Sequence, residues 1–167
     1  MPTGVLAFRR EQDNIATSVN SAASLMRWVI KVSEVTGETN LKTLLASMSP
    51  TLDDTDWVFA VVGEEDAVRL TPHAIASFRE AEGLTLVLPQ AAADDLKNVS
   101  APMSRITLEV HSSLEAVGLT AAVAGALAEA GLSANVVAAY YHDHIFVPKA
   151  SADRALAVLQ ALTTSPD

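Results

Sequence analysis

Residues 105–148 read RITLEVHSSLEAVGLTAAVAGALAEAGLSANVVAAYYHDHIFVP, and the spacing of the apolar residues in this stretch predicts the fold. Apolar and polar residues alternate over residues 106–110, which predicts a half-buried strand. Residues 116–130 have helical spacing, and Gly131 follows as a residue suited to a helix C-terminus. Two strands joined by a tight turn come next, at residues 136–141 and 144–147. The predicted order is β-α-β-β.

The first half of the chain predicts a similar order of elements, although the two halves share little sequence. A short helix is predicted at residues 41–48, and a second at residues 90–96. Acidic turns are predicted at residues 53–56 and 63–67. Strands are predicted at residues 57–62, 75–80 and 84–88, the last two joined by a turn at Glu82 and Gly83.

The second half ends in a helix predicted at residues 152–162, so it lacks a final strand of its own. Because an unpaired sheet edge invites association, we expect a strand of the first half or of another subunit to cover it. No Gly/Ser-rich linker separates the halves, which predicts that they fold as one body.

These elements resemble the ACT domain, a small regulatory module with a ferredoxin-like βαββαβ fold. The resemblance is carried by VHSSLEAVGLTAAVA at residues 110–124 and NVVAAYYHDHIFVP at residues 135–148. The same two segments are similar to small bacterial proteins built from two ACT-like units. Those proteins are in turn related to the ACT units of the cytosolic arginine sensor. Many amino-acid-binding ACT domains carry Asp-x-Pro-Gly at the strand-to-helix turn, whereas residues 115–118 read EAVG.

The resemblance implies an α+β protein of two ferredoxin-like ACT units packed as one body. We expect an N-terminal extension at residues 1–38 with an amphipathic helix near residues 15–32. The remaining predicted boundaries are an ACT-like unit at 39–101, an ACT unit at 102–163 and a tail at 164–167.

The turn before the helix of the second unit is the predicted ligand site. Gly118 would allow close approach to the backbone, and the free N–H groups of a helix N-terminus suit a carboxylate. Ser112 and Ser113 offer hydrogen bonds, and Glu115 offers a partner for an amino group. In the structural alternative, Ser113 caps the helix and Gly118 serves packing. The candidate residues of the turn are His111, Ser112, Ser113, Leu114, Glu115, Val117 and Gly118. By resemblance to the ACT family, the opposing wall is Asn135, Val136 and Val137.

Three interpretations are open for His142 and His144, two histidines spaced to face the same way on a strand. They could hold a metal with a third ligand from elsewhere. They could instead pack or bond the backbone around a tight turn made by Asp143, or contact a ligand or second subunit.

Composition excludes several classes of function. The 167 residues carry a formal net charge of −9, which argues against nucleic acid and anionic membranes as partners. The chain has no cysteine, so it can form neither disulfides nor a thiolate metal site, and this agrees with a cytoplasmic location. No motif of a nucleophilic hydrolase, a Walker loop or a dinucleotide fold is present, and no cofactor is predicted.

The sequence therefore predicts a non-catalytic regulatory protein that binds a small molecule, an amino acid by preference, and acts through oligomer or partner interfaces. A homo-oligomer is expected. The alternatives are an interaction-only protein without a ligand and, third, a metal-binding protein that uses His142 and His144.

Overall fold

A computed structural model of the chain describes residues 37–164, so the helix predicted near residues 15–32 lies outside the described residues. The strands are β1 (Thr51–Val62), β2 (Ala76–Arg79), β3 (Leu84–Pro89), β4 (Met103–Thr107), β5 (Asn135–Ala138) and β6 (Asp143–Pro148). The helices are α1 (Leu41–Ser47), α2 (Glu64–Leu70), α3 (Leu119–Glu129) and α4 (Ala152–Thr164).

The six strands form one antiparallel sheet in the order β2-β3-β1-β4-β6-β5. Each ACT-like unit contributes a strand, a helix and a hairpin: β1-α2-β2-β3 and then β4-α3-β5-β6. The two units meet where β1 pairs with β4, with Trp57 opposite Met103. A strand of the first unit thus covers the open edge of the second, as predicted, and the two ferredoxin-like units form one body.

The two hairpins are related by a repeat in sequence as well as in structure, whereas the sequence analysis recognised only a similar order of elements. Ala76 pairs with Val87 in the first hairpin, and Asn135 pairs with Phe146 at the equivalent place in the second. Residues 86–95 read LVLPQAAADD and align without a gap on residues 145–154, IFVPKASADR. The repeat extends into the short 3₁₀ turns that follow β3 and β6.

The main core lies on one face of the sheet, beneath α1, α3 and α4. Leu119, Val123 and Leu127 recur every four residues along α3 and are buried against Ile106 and Ile145 of the sheet. A smaller core lies beneath α2 in the first unit, built from Val58, Ala60, Val62, Leu70, Leu86, Leu88 and Ala93.

The C-terminus of α3 confirms the predicted role of Gly131. This residue has φ +68°, a left-handed conformation that glycine adopts at little cost. Its N–H donates to the carbonyl of Ala128 at 2.8 Å, and the Leu132 N–H donates to the carbonyl of Leu127 at 2.9 Å. The pair of bonds satisfies two carbonyls that the helix would otherwise leave without partners.

Both predicted acidic turns were wrong. Residues 53–56 belong to β1, whose pairing with β4 is irregular between Leu52 and Asp56. Asp53 stays in the strand because it accepts hydrogen bonds from Arg105, Trp57 Nε1 and the Thr55 N–H. Burial raises the pKa of Asp53, but the Thr55 N–H and the Arg105 charge outweigh it, so the net pKa lies below the ordinary value.

The second acidic segment forms α2 instead of a turn. Glu64, Glu65 and Asp66 occupy the first turn of this helix, where negative charge interacts favourably with the helix dipole. The helix predicted at residues 90–96 is shortened to the 3₁₀ turn Gln90–Ala92. β4 ends at Thr107 and not at Val110, because Glu109 has φ +43° and bends the chain.

The opposite face of the sheet carries a third buried cluster, which includes Trp57, Val87, Met103 and Phe146. The ring of Phe146 meets that of Phe59 edge to face, with centroids 5.3 Å apart. Since Phe59 lies on β1 and Phe146 on β6, this contact joins the two units through side chains as well as through the β1–β4 ladder.

Candidate functional site

The candidate turn leaves the sheet at the end of β4. Leu108 and Val110 remain buried although Glu109 between them is exposed and left-handed. The Leu108 N–H still donates to the carbonyl of Asp143 at 3.0 Å, so the chain follows β6 for one residue beyond the strand. The bend at Glu109 directs residues 111–118 away from the sheet and toward the start of α3.

A strap formed by residues 37–41 lies against this turn. Glu38 forms a parallel bridge with Ser112: its N–H donates to the carbonyl of His111 at 3.0 Å, and its carbonyl accepts the Ser113 N–H at 2.9 Å. A Cβ on Gly37 would lie 2.3 Å from the Ser113 nitrogen, so only glycine permits this approach. The strap therefore fixes the backbone of His111, Ser112 and Ser113.

Ser113 shapes the turn and does not cap α3. Its Oγ accepts the Glu115 N–H at 3.2 Å, and its carbonyl accepts the Ala116 N–H at 2.9 Å. The side chains of Leu114, Glu115 and Val117 are exposed around this turn. The helix begins only at Leu119, three residues later than predicted, because the preceding residues are held in turns.

Gly118 is the N-cap residue of α3 and has φ +103°, a conformation that residues with a side chain rarely adopt. Its carbonyl accepts the Ala122 N–H at 2.8 Å, and glycine has no side chain with which to cap the helix. A Cβ at Gly118 would meet Leu41 Cδ2 of the strap at 3.0 Å. Gly118 is thus required by backbone conformation, and no side chain within residues 37–164 caps the first-turn N–H groups of α3.

The three residues expected to form the opposing wall lie on β5. Because successive side chains of a strand point to opposite faces of the sheet, the three do not share one face. Asn135 Nδ2 is 3.9 Å from Met103 Sδ, and Val137 packs with the cluster around Phe146. Val136 packs against the main core on the helix-covered face. Asn135 pairs with Phe146, which in turn pairs with Arg105 in the middle of β4, whereas the candidate turn begins beyond the end of that strand.

The hairpin turn at residues 139–142 lies at the same end of the sheet as the candidate turn. The Tyr141 ring lies 5.3 Å from the His111 ring between centroids. His142 Nδ1 is 3.3 Å from the carbonyl oxygen of Val110. The sequence analysis placed Tyr140 and Tyr141 in the strand predicted at residues 136–141 and not in the candidate site. They lie instead in the turn, because β5 ends at Ala138.

His142 and His144 each have an Nδ1 partner. His144 Nδ1 lies 3.0 Å from Thr107 Oγ1, and His142 Nδ1 lies near the Val110 carbonyl. Burial, together with repulsion from Arg105 and His142, lowers the pKa of His144 and favours its neutral ring. Within residues 37–164, no group of three or more His, Cys, Asp or Glu side chains is arranged to hold a metal ion. Asp143 is buried as the first residue of β6 and does not make the bend.

The equivalent turn in the first unit is built differently. Gly63 is the N-cap residue of α2, a helix of 7 residues with three acidic residues in its first turn. A carboxylate would meet like charges there, which is unfavourable. The two units therefore share a fold but not a candidate site.

Among the described residues, no helix is long and apolar enough to cross a membrane.

Sequence models of the ACT domain match the chain twice, at residues 36–101 and at residues 101–161. No curated protein matches the sequence.

A solved structure of a Vibrio cholerae protein of unknown function, described as a possible transport protein, is 54% identical, with a TM-score of 0.65. The match covers 74% of this chain and 95% of that one. The ligand-free regulatory subunit of aspartate kinase from Thermus thermophilus is 10% identical with a TM-score of 0.54, covering 71% of this chain and 97% of that one.

The aspartate kinase of Clostridium acetobutylicum is 9% identical with a TM-score of 0.58, covering 80% of this chain and 37% of that one. At these low identities, the kinase structures show a shared fold alone. The two tandem family matches go further: this chain belongs to the ACT domain family of regulatory, ligand-binding modules and carries two of its units.

Proposed function

We propose that this chain is a non-catalytic regulatory protein that binds a free amino acid at the turn formed by residues 111–118 of its second ACT unit. The observation that carries the proposal is the N-terminus of α3, which no side chain of the described residues caps and which follows a turn with an exposed carboxylate, Glu115. A free amino acid presents one negative and one positive group. The first-turn N–H groups suit its carboxylate, and Glu115 suits its ammonium group.

The difference between the two units supports one ligand per chain. The first unit offers only the short acidic helix α2 at the equivalent turn. We therefore expect calorimetric titration to give a stoichiometry of one amino acid per chain.

The first prediction concerns stability in the presence of ligand. A ligand that binds only the native state at 100 times its Kd adds about 2.7 kcal/mol to the free energy of unfolding. A thermal-shift screen with the twenty amino acids should therefore identify at least one that raises the melting temperature. A screen in which no amino acid does so would favour the alternative of an interaction-only protein.

Glu115→Gln should weaken amino-acid binding about tenfold or more, because hydrogen bonds to charged groups contribute about 1.5–3 kcal/mol. The matched control is Glu129→Gln, which removes the same charge from an exposed position at the other end of α3. Unchanged affinity in Glu115→Gln would remove Glu115 from the site.

A further prediction concerns assembly. β2 and β5 are the two outer strands of the sheet, and outer strands present backbone groups to other chains. We propose that the chain forms a homodimer or larger oligomer in the cytoplasm, and that ligand binding changes this assembly or the binding of a partner. Light scattering should report more than one chain per particle at micromolar concentration, and a strict monomer with and without ligand would contradict this output.

A further inference from the structure

In the described part of the second unit, every exposed large hydrophobic side chain lies on one of two loops. Leu114 is 67% exposed and Val117 is 83% exposed on the candidate turn. Tyr140 is 56% exposed and Tyr141 is 39% exposed on the turn between β5 and β6. Single exposed hydrophobic residues are ordinary, but four on two neighbouring loops indicate a binding surface.

The sheet register brings these two loops to the same end of the second unit. Thr107, the last residue of β4, pairs with His144, and Ala138, the last residue of β5, pairs with Asp143. Both chains leave the sheet beyond these pairs. His111 joins the loops, because its ring lies 5.3 Å from that of Tyr141.

The aromatic loop is held in a fixed shape. The Ala139 N–H donates to the carbonyl of His142 at 3.2 Å, which closes the turn. The Tyr140 and Tyr141 rings meet edge to face with centroids 4.9 Å apart. A tyrosine side chain has few rotatable bonds, so little conformational entropy is lost when a ligand packs on it.

The first unit provides an internal comparison. Its hairpin turn closes in the same way, with the Glu80 N–H donating to the carbonyl of Gly83 at 2.9 Å. By the internal repeat, Ala81 and Glu82 occupy the places of Tyr140 and Tyr141. The turn can therefore be built without aromatic residues, and the two tyrosines of the second unit are not explained by the needs of the fold.

We propose that Tyr140 and Tyr141, together with Leu114 and Val117, form the wall that selects the ligand, and that the ligand is an amino acid with an apolar or aromatic side chain. This inference rests on the proposed function. In this arrangement the ligand carboxylate is at the start of α3, its ammonium group is at Glu115, and its side chain is toward the tyrosines, because the ring of His111 in the same turn lies 5.3 Å from that of Tyr141. The four wall residues carry no charge, and Glu109 beside the turn is occupied by a hydrogen bond from Thr51 at 3.0 Å. An apolar side chain would bury surface on this wall without leaving a charge unpaired.

The test replaces the aromatic turn by its counterpart from the first unit, in the double variant Tyr140→Ala and Tyr141→Glu. Because the first unit closes the same turn with alanine and glutamate, this variant is expected to fold, which its melting temperature without ligand will report. Calorimetric titration of the wild-type chain should give affinities for leucine or phenylalanine at least tenfold higher than for glycine. The double variant should lose about tenfold in affinity for leucine and phenylalanine and should bind glycine as the wild type does.

Leu114→Ser is the second variant, for the case in which the double variant does not fold. It should also reduce the preference for leucine over glycine. Two results would overturn the inference and leave the proposed function standing. In the first, the wild type binds amino acids and both variants bind them with the same affinities. In the second, the wild type prefers lysine, arginine or aspartate. Absence of binding of all twenty amino acids to the wild type would instead overturn both.

Discussion

Phe146→Ala should lower the free energy of unfolding by about 3–5 kcal/mol, the largest effect expected of a single substitution discussed for this chain. The side chain is 1% exposed, so truncation leaves a cavity in addition to the lost apolar contact. Its ring also meets Phe59 of the other unit at 5.3 Å, and that contact would be lost. Urea denaturation followed by circular dichroism measures the change.

Phe78→Ala is the matched control, because it removes the same atoms from the outer strand β2. Phe78 is 42% exposed, so its truncation should cost about 1 kcal/mol or less. Equal losses for Phe78 and Phe146 would contradict the assignment of Phe146 to the interior.

The same experiment tests whether the two units unfold together. β1 and β4 pair in the middle of one sheet, and Phe59 and Phe146 pack across this pair. We therefore expect a single unfolding transition in urea. In a separate hydrogen-exchange measurement, Phe146→Ala should reduce the protection of amides in β1 and β3 as much as in β6. Loss of protection in β6 alone would mean that the second unit unfolds by itself.

Local patterns were sufficient to predict the elements of the second unit. Apolar residues every four positions and a glycine after the last of them predicted α3 and its C-terminus, and both are observed. The hairpin that follows was predicted from apolar runs on either side of a polar turn, and β5 and β6 overlap those runs. The position of its turn was wrong, because β5 ends at Ala138 and Tyr140 and Tyr141, predicted in the strand, lie in the turn. In these segments the local preference and the tertiary contacts agree.

The first unit was predicted less well because distant residues determine its structure. Asp53 reads as a turn residue by itself, but Arg105, far along the chain, keeps it in β1 by a hydrogen bond that no local pattern predicts. Likewise, the similarity of residues 86–95 to residues 145–154 is weak in the sequence, and the equivalent register of the two hairpins is what identifies it as a repeat.

The sequence predicts a candidate site at the turn before α3, but it does not predict which other segments lie around that turn. The wall at residues 135–137 was carried over from the family, whereas the register of β5 on β6 puts Ala138, and after it the tyrosines, at the level of the turn. The strap was also missed, because Gly37 and Glu38 were assigned to an extension outside the units. Their contact with Ser112 and Ser113 spans more than seventy residues of sequence and has no local signal.

Gly118→Ala should destabilise the protein in the absence of ligand, while Gly125→Ala in the same helix should stabilise it. Gly118 has φ +103°, and holding a residue with a side chain in such a conformation costs about 1–3 kcal/mol. Gly125 lies in the middle of α3, and a Cβ there would meet no atom within 4 Å. Alanine at that position should raise the free energy of unfolding by about 0.5–1 kcal/mol, because glycine loses more backbone freedom on folding.

Gly118→Val should lose more stability than Gly118→Ala. A β-branched residue tolerates positive φ least, and its added methyl groups would press on Leu41, which already lies 3.0 Å from the position of a Cβ. In urea denaturation without ligand, the free energy of unfolding should be highest for Gly125→Ala. It should then fall in the order wild type, Gly118→Ala, Gly118→Val. A stabilised Gly118→Ala variant would contradict the left-handed N-cap, because only a residue with helical φ gains from that change. Amino-acid binding is then compared at temperatures where each variant is folded, so that a loss of affinity at Gly118 is not confused with a loss of the folded state.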